Sequence, residues 1–327
     1  MTIVSADQIA RAVAALRGGE LVAFPTETVY GLGADAANET AVRRIFAAKG
    51  RPADHPLIVH LPGVDALTDW ARDVPPAARR LAERFWPGPL TMILPKAPHV
   101  PDVVTGRQPS IGLRIPDHPV ALALLAAFGG GIAAPSANRF GRISPTRAEH
   151  VQAELGDAVA LILDGGPCRV GVESSIVDLT GEQPVLLRPG QISATQIAEV
   201  VGVPLAQAHK STTRAPGTLP SHYAPVTRTM IIGTNELAPT VNDLLDERLR
   251  IAVLARHSAP IDHPGVTWRV APSDADGYAH ALYAHLRELD ALRRDRIVVE
   301  AVPEGEAWLA IRDRLQRAAS QEPGTES

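Results

Sequence analysis

Leu21-Val22-Ala23-Phe24-Pro25-Thr26-Glu27-Thr28-Val29-Tyr30-Gly31 is the stretch that decides the fold class. The apolar run Leu21–Phe24 reads as a buried strand, and Pro25, which has no backbone N–H for a ladder, stops it. Two hydroxyls, a carboxylate and a phenol follow at once, where a ligand cleft forms at the strand ends of an α/β sheet. A polar loop satisfying its own backbone would read the same way. Upstream, Ser5 with Gln8 makes a capping box that opens a helix to about Arg17. Downstream the grammar repeats. Short apolar runs at 57–61, 90–94, 111–115, 132–134, 160–163, 175–179 and 185–187 end mostly in Pro, Gly or Asp, with helical stretches at 40–48, 76–85, 119–127 and 147–154 between them. Thr146 with Glu149 and Ser193 with Gln196 supply two more capping boxes. Strands alternating with helices define a mixed α/β domain over residues 1–203.

The pattern dissolves over 204–226, where Val203-Pro204, Ala215-Pro216-Gly217, Leu219-Pro220 and Ala224-Pro225 punctuate a linker without periodicity. A cleaner alternation then fills 227–320: strand 229–232, helix 236–247, strands 250–255 and 266–270, helix 275–292, strand 296–301 and helix 306–318. That order predicts a small βαβ-type domain with a parallel sheet. The polar residues 321–327 read as a disordered tail.

Composition narrows the function classes. The net charge is −4 over 327 residues, with no basic half, which argues against a constitutive nucleic-acid-binding surface. Cys168 is the only cysteine, so neither a disulfide nor a thiolate metal cluster can form within the chain. No apolar run approaches membrane-spanning length and the N-terminus does not read as a signal peptide, so a cytoplasmic protein is expected. There is no Walker-type phosphate loop, no His-Glu-x-x-His and no Cys-x-x-Cys. Gly31-Leu32-Gly33-Ala34-Asp35-Ala36 imitates a dinucleotide fingerprint, but the strand before it stops at Phe24, too early for the tight turn that motif requires.

The cations carry more information. Only three lysines accompany 29 arginines, and one of them, Lys49, stands two residues before Arg51 at the end of a helical stretch. An ammonium beside a guanidinium suits a polyphosphate, although cations at a helix C-terminus also offset its dipole without any ligand. Arg114 and Arg188 each close an apolar run, and an arginine there must reach solvent or an anion. Ser136 and Asn138 follow the run ending in Ala134-Pro135, with Ser144 just beyond, and Ser174 precedes the run at 175–179; small hydroxyl and amide groups let a ligand approach the backbone. His60 lies inside an apolar run and reads as a hydrogen-bonded core residue. His222-Tyr223-Ala224-Pro225 closes the linker as an aromatic anchor, or as a lid over a substrate.

Together these strings resemble the L-threonylcarbamoyl-AMP synthases in their two-domain form. Those carrying the resemblance are Phe24 to Gly33, Ala48-Lys49-Gly50-Arg51-Pro52, Pro56 to His60, Trp86 to Thr91, Ala134-Pro135-Ser136-Ala137-Asn138, Val172-Glu173-Ser174-Ser175, Leu187-Arg188-Pro189-Gly190 and His222-Tyr223-Ala224-Pro225. The resemblance implies a twisted mixed-sheet α/β catalytic domain of the YrdC type followed by a small Rossmann-like α/β domain. It implies a nucleotidyltransferase that joins L-threonine, bicarbonate and ATP with Mg2+, releases pyrophosphate, and passes its product to the machinery that makes threonylcarbamoyladenosine in tRNA, with tRNA itself bound weakly if at all. Carried over residue by residue, Thr28, His60, Arg114, Ala134 through its backbone, and Ser174 would hold threonine. Lys49, Arg51, His55, Ser110, Ser136, Asn138, Ser144, Arg188 and Tyr223 would hold ATP, with Lys49 and Arg51 as the catalytic pair. His55 stands in Asp54-His55-Pro56-Leu57 where the family commonly has asparagine. The resemblance names no protein general base.

Overall fold

A computed structural model describes residues 4–206, 212–217, 222–256 and 260–320. The tail at 321–327 and part of the linker therefore lie outside the described residues. The chain divides into two units, one of Met1–Phe140 with Ser144–Thr218, the other of Gly141–Ile143 with Leu219–Ser327.

The first unit runs α1 (Ala6–Arg17), β1 (Val22–Phe24), β2 (Gly31–Asp35), α2 (Glu39–Lys49), β3 (Ile58–His60), α3 (Leu67–Trp70), α4 (Pro76–Phe85) and β4 (Leu90–Pro95). It continues with α5 (Asp102–Thr105), β5 (Ser110–Arg114), α6 (Pro119–Phe128), β6 (Ile132–Ala133), α7 (Ala148–Leu155), β7 (Leu161–Ile162), β8 (Ser175–Asp178), β9 (Val185–Arg188) and α8 (Ala194–Val201). The strands form one mixed sheet in the order β7-β1-β2-β6-β3-β5-β4-β8-β9. The capping boxes at Ser5 and Ser193 are both present. The one expected at Thr146 is not: the helix starts a residue later with Arg147 at its N-cap and no side-chain cap, and the Thr146 N–H donates to His150 Nδ1.

The sequence reading did not assign β2, whose glycines imitate a nucleotide fingerprint. The strand pairs antiparallel with β1 and β6. Glycine is demanded at position 33 by contact, since a Cβ there would come within 2.8 Å of Phe24 and 2.9 Å of Ile132.

Strand alternation sorts side chains to two faces. Val59, Leu90, Met92, Leu94, Ile111, Leu113 and Val177 join the main core with α2 and α4. Each fully buried aliphatic side chain there contributes about 1.5–3 kcal/mol. The opposite face is covered at its β1–β6 end by α1 and α6, through Ala12, Leu16, Leu124 and Leu125. Toward β3, β5, β4 and β8 it carries only a small apolar cluster of Ile58, Ile93, Ile176 and Ala215. That uncovered part of the sheet is where the polar strand residues emerge.

The second unit holds β10 (Thr229–Ile232), α9 (Leu237–Asp246), β11 (Ile251–Ala255), β12 (Val266–Val270), α10 (Ala275–Ala291), β13 (Arg296–Glu300) and α11 (Leu309–Ala319). Its sheet has the order β10-β13-β11-β12 and every pairing is parallel. No helix among the described residues is long and apolar enough to cross a membrane.

Candidate functional site

His60, Ser110, Arg114 and Thr91 occupy the strand positions that alternate with main-core residues, so they share the face the helices leave uncovered. His60 is the register partner of Arg114 across the parallel β3–β5 pair. Ser174 sits just before β8, and its Oγ lies 2.8 Å from Thr91 Oγ1. Arg188, at the end of β9, donates Nη2 to Ser174 Oγ at 3.1 Å and Nε to the Ser174 carbonyl at 3.0 Å. Three strands thus converge on one hydroxyl. Thr91 was not a sequence candidate, although the alternation of Leu90, Met92 and Leu94 marks it as facing the other way.

A second group forms around the loop after β6. Lys49, the last residue of α2 and 4 % exposed, donates Nζ to the Ser136 carbonyl at 2.6 Å and also to the Asn138 carbonyl. Burial, then the nearby Arg51, pushes its pKa well below the ordinary lysine value. Asn138 donates Nδ2 to the Arg139 carbonyl at 2.7 Å. Ser144, fully buried, donates to Glu173 Oε1 at 2.5 Å. Arg51 donates Nη2 to the Pro56 carbonyl at 2.8 Å, which fixes the approach to β3. His55 packs edge-on against Phe140, and its pKa is lowered by burial and then by Arg51. In this structure Lys49 braces the 136–138 loop and Arg51 braces the 52–56 turn.

The stretch after β1 is held from within and from both sides. Thr26 Oγ1 lies 2.8 Å from Thr28 Oγ1, donates to the Val29 carbonyl at 2.7 Å, and accepts the Thr28 and Val29 N–H groups. The loop does satisfy its own backbone, as a polar loop would. Arg114 reaches neither solvent nor a free anion. Its Nη2 lies 2.7 Å from Oε1 of Glu27, a carboxylate 1 % exposed, and its Nε donates to the Gly88 carbonyl at 3.3 Å. His60 is buried, and desolvation, then Arg114, lowers its pKa to about 3, so the imidazole is neutral. The Ala134 N–H is taken by the Ile58 carbonyl at 2.9 Å, so a ligand contact from that backbone would use its carbonyl.

A strap of residues 212–217 crosses this face. Arg188 donates Nη1 to the Pro216 carbonyl at 2.9 Å. Gln108 holds Arg214 twice, accepting its N–H at 2.7 Å and donating to its carbonyl at 3.0 Å, while Arg214 Nη2 donates to the Gly106 carbonyl at 2.7 Å. Beneath the strap lies a cleft lined by Ile58, Thr91, Ser110, Gly112, Ile176 and Pro216, with room for about one water molecule. The Gln108–Arg214 latch joins residues 106 positions apart, and no local pattern announces it.

Tyr223 belongs to the second unit, where its ring packs against His222 and Tyr283 and beneath the Arg314 guanidinium. No cluster of three or more His, Cys, Asp or Glu side chains able to hold a metal ion occurs among the described residues.

The architecture is thus a mixed-sheet α/β domain with buried cations and hydroxyls gathered on one uncovered sheet face, followed by a parallel α/β unit. Two family models cover nearly the whole chain: one described as "Telomere recombination" matches residues 14–190, and one described as "Threonylcarbamoyl-AMP synthase, C-terminal domain" matches residues 192–320. The chain is 41 % identical over 318 residues to the threonylcarbamoyl-AMP synthase of Pyrococcus abyssi, covering 93 % of this chain and 92 % of that protein. It is 42 % identical to the Bacillus subtilis protein of the same name, covering 95 % and 93 %. The crystal structure of P. abyssi Sua5 complexed with L-threonine superposes with a TM-score of 0.88 at 40 % identity, covering 95 % of this chain and 94 % of that one. The chain belongs to the threonylcarbamoyl-AMP synthase family.

Proposed function

We propose that this chain is a nucleotidyltransferase that makes threonylcarbamoyl-AMP and pyrophosphate from L-threonine, bicarbonate and ATP. The observation that carries the reading is a pair of buried arginines on the sheet face that the helices leave uncovered, Arg114 beside His60 and Arg188 against Ser174. It is supported by the relatives named threonylcarbamoyl-AMP synthase and by the L-threonine complex of the P. abyssi protein.

Arg114 would grip the threonine carboxylate with its planar fork. Thr28, neutral His60, Ser174 and the Ala134 carbonyl would surround the rest of the amino acid. The amine, once its ammonium proton has been lost to water, condenses with bicarbonate to give a carbamate and water. A carbamate oxygen then attacks the α-phosphorus, and the bond to the β,γ-bridged group breaks to release pyrophosphate. Arg188, Ser110, Ser136, Asn138 and Ser144 would hold the nucleotide, with Lys49, Arg51 and His55 shaping its phosphate side. Catalysis of this kind rests on positioning and charge stabilisation rather than on a nucleophilic side chain.

With no clustered carboxylates or histidines among the described residues, Mg2+ would be held chiefly by the phosphates and water of the nucleotide. When bound it offsets phosphate charge. We further propose that the product serves the threonylcarbamoyladenosine modification of tRNA.

The test is pyrophosphate release by the purified full-length chain with ATP. Release that requires both threonine and bicarbonate, and that falls when serine replaces threonine, is the expected result. Release that is indifferent to either co-substrate would sink the reading.

A further inference from the structure

The contact between Glu27 and Arg114 is close but poorly aligned. Nη2 and Oε1 stand 2.7 Å apart, yet neither oxygen of Glu27 and not Nη2 of Arg114 has an aligned hydrogen-bond partner among the described residues. Nδ1 of His60, on the strand beside Arg114, likewise has no aligned partner, although the backbone of Ile58 and Ile132 lies close enough to act on the ring. A buried ion pair that existed only for stability would use the two-pronged geometry the guanidinium offers, because a buried polar atom without a partner is costly. Glu27 cannot withdraw to solvent, since its carbonyl accepts the Val170 N–H at 2.7 Å and the Thr28 carbonyl accepts the Gly171 N–H at 3.2 Å. The under-served atoms are an anionic acceptor, a cationic donor and an imidazole nitrogen, side by side. A ligand that satisfies them carries a negative group one short step from a positive one.

We propose that Glu27 is the counter-charge for the α-ammonium group of the substrate, fixing the amino acid's orientation while Arg114 takes its carboxylate. The role rests on the threonine pocket proposed above. In this structure Glu27 and Arg114 stand as each other's counter-charge. When a zwitterion enters, its carboxylate takes an aligned place on the guanidinium and its ammonium supplies the N–H donors Glu27 lacks. Bicarbonate or a simple carboxylic acid satisfies Arg114 alone and meets repulsion from Glu27. Glu27 is therefore a specificity-determining and positioning residue for the amine.

The experiment compares binding of L-threonine and of 3-hydroxybutyrate, which is threonine without its amine, to the purified full-length chain by calorimetry. The wild type is expected to prefer threonine. Glu27→Gln, close to isosteric, should weaken threonine by roughly 30-fold or more, as expected for loss of one partner of a buried charge pair. It should leave 3-hydroxybutyrate unchanged or tighter. A purely structural role, acting through a displaced Arg114, would weaken both ligands equally, because both present the carboxylate. If circular dichroism shows that the Gln variant does not fold, Glu27→Asp carries the test, since a shortened carboxylate should lower the same preference and spare the analogue. An unchanged ratio of the two affinities in the folded variant overturns the role of Glu27. A wild type that binds no threonine overturns the pocket itself.

Discussion

His60 allows a quantitative test of how the sheet face is built. Its imidazole is buried on β3 beside Arg114, and its pKa falls from the ordinary 6.5 to about 3, first through desolvation and then through the guanidinium. The folded value lies below the unfolded one, so between the two the unfolded chain binds the extra proton. His60 therefore contributes stability that is fully present above about pH 6.5 and is lost as the pH falls toward 3. Linkage over that interval gives a loss of about 2 kcal/mol between pH 7 and pH 5 from this one side chain. His55 and His118 are shifted in the same direction, so the wild-type curve alone is not diagnostic. The difference between wild type and His60→Gln is. Hydrogen-exchange mass spectrometry on peptides spanning β3 and β5 reads the opening free energy of the first unit alone. The variant should be less stable at pH 7 but should lose about 2 kcal/mol less than wild type on going to pH 5. Parallel pH dependences in the two proteins would refute a neutral, desolvated His60.

Three further substitutions probe the braces and the strap. Lys49→Met keeps the aliphatic stem but leaves the Ser136 and Asn138 carbonyls without their donor, for a loss of about 2–4 kcal/mol and a melting point lower by roughly 5–15 °C, read by calorimetry; an unchanged melting point with only the KM for ATP raised would make Lys49 a phosphate ligand and not a brace. Gln108→Ala removes two hydrogen bonds to Arg214 and should accelerate exchange at 212–217 while the sheet stays protected, and equal protection of that segment in both proteins would remove the latch. Gly190→Ala places a Cβ 2.3 Å from the Ser175 nitrogen and 2.7 Å from the Ser174 carbonyl carbon, so the backbone must move; a cost of about 1–3 kcal/mol with a raised KM for threonine is expected, and wild-type stability would show that the turn adapts freely.

Local chemistry made much of this legible. The capping boxes at Ser5 and Ser193 form because donor and acceptor lie three residues apart, where sequence is sufficient. Thr146 carries the same pattern, yet His150 Nδ1 takes its N–H and Arg147 becomes the N-cap. The strand β2 was hidden because its glycines answer to Phe24 and Ile132, a contact between strands that no window along the chain contains. The candidate residues were recognisable as strand-end hydroxyls and cations, but not their partners. Arg114 promised an anion, and only the fold reveals that Glu27 supplies one. Gln108 and Arg214 carry no local mark of any kind.

The internal partners change what binding means at this site. Arg188 is engaged by Ser174 and Pro216, Arg114 by Glu27 and Gly88, Lys49 by two loop carbonyls and Arg51 by Pro56. Under the proposed function a substrate anion would therefore exchange with a protein acceptor, and its affinity would be the difference between two charge-assisted contacts rather than the whole of one. The exchange would be easiest where the present acceptor is a neutral carbonyl on the 212–217 strap, as at Arg188. It is hardest where the cation sits in a rigid loop brace, as at Lys49. On that argument, under the proposed function, Arg188 of the four cations would be the one best placed to transfer to nucleotide phosphate, and the Pro216 carbonyl would have to leave it first. Arg114 would be the intermediate case, since the Glu27 carboxylate it gives up would remain beside the site as the partner proposed for the incoming amine.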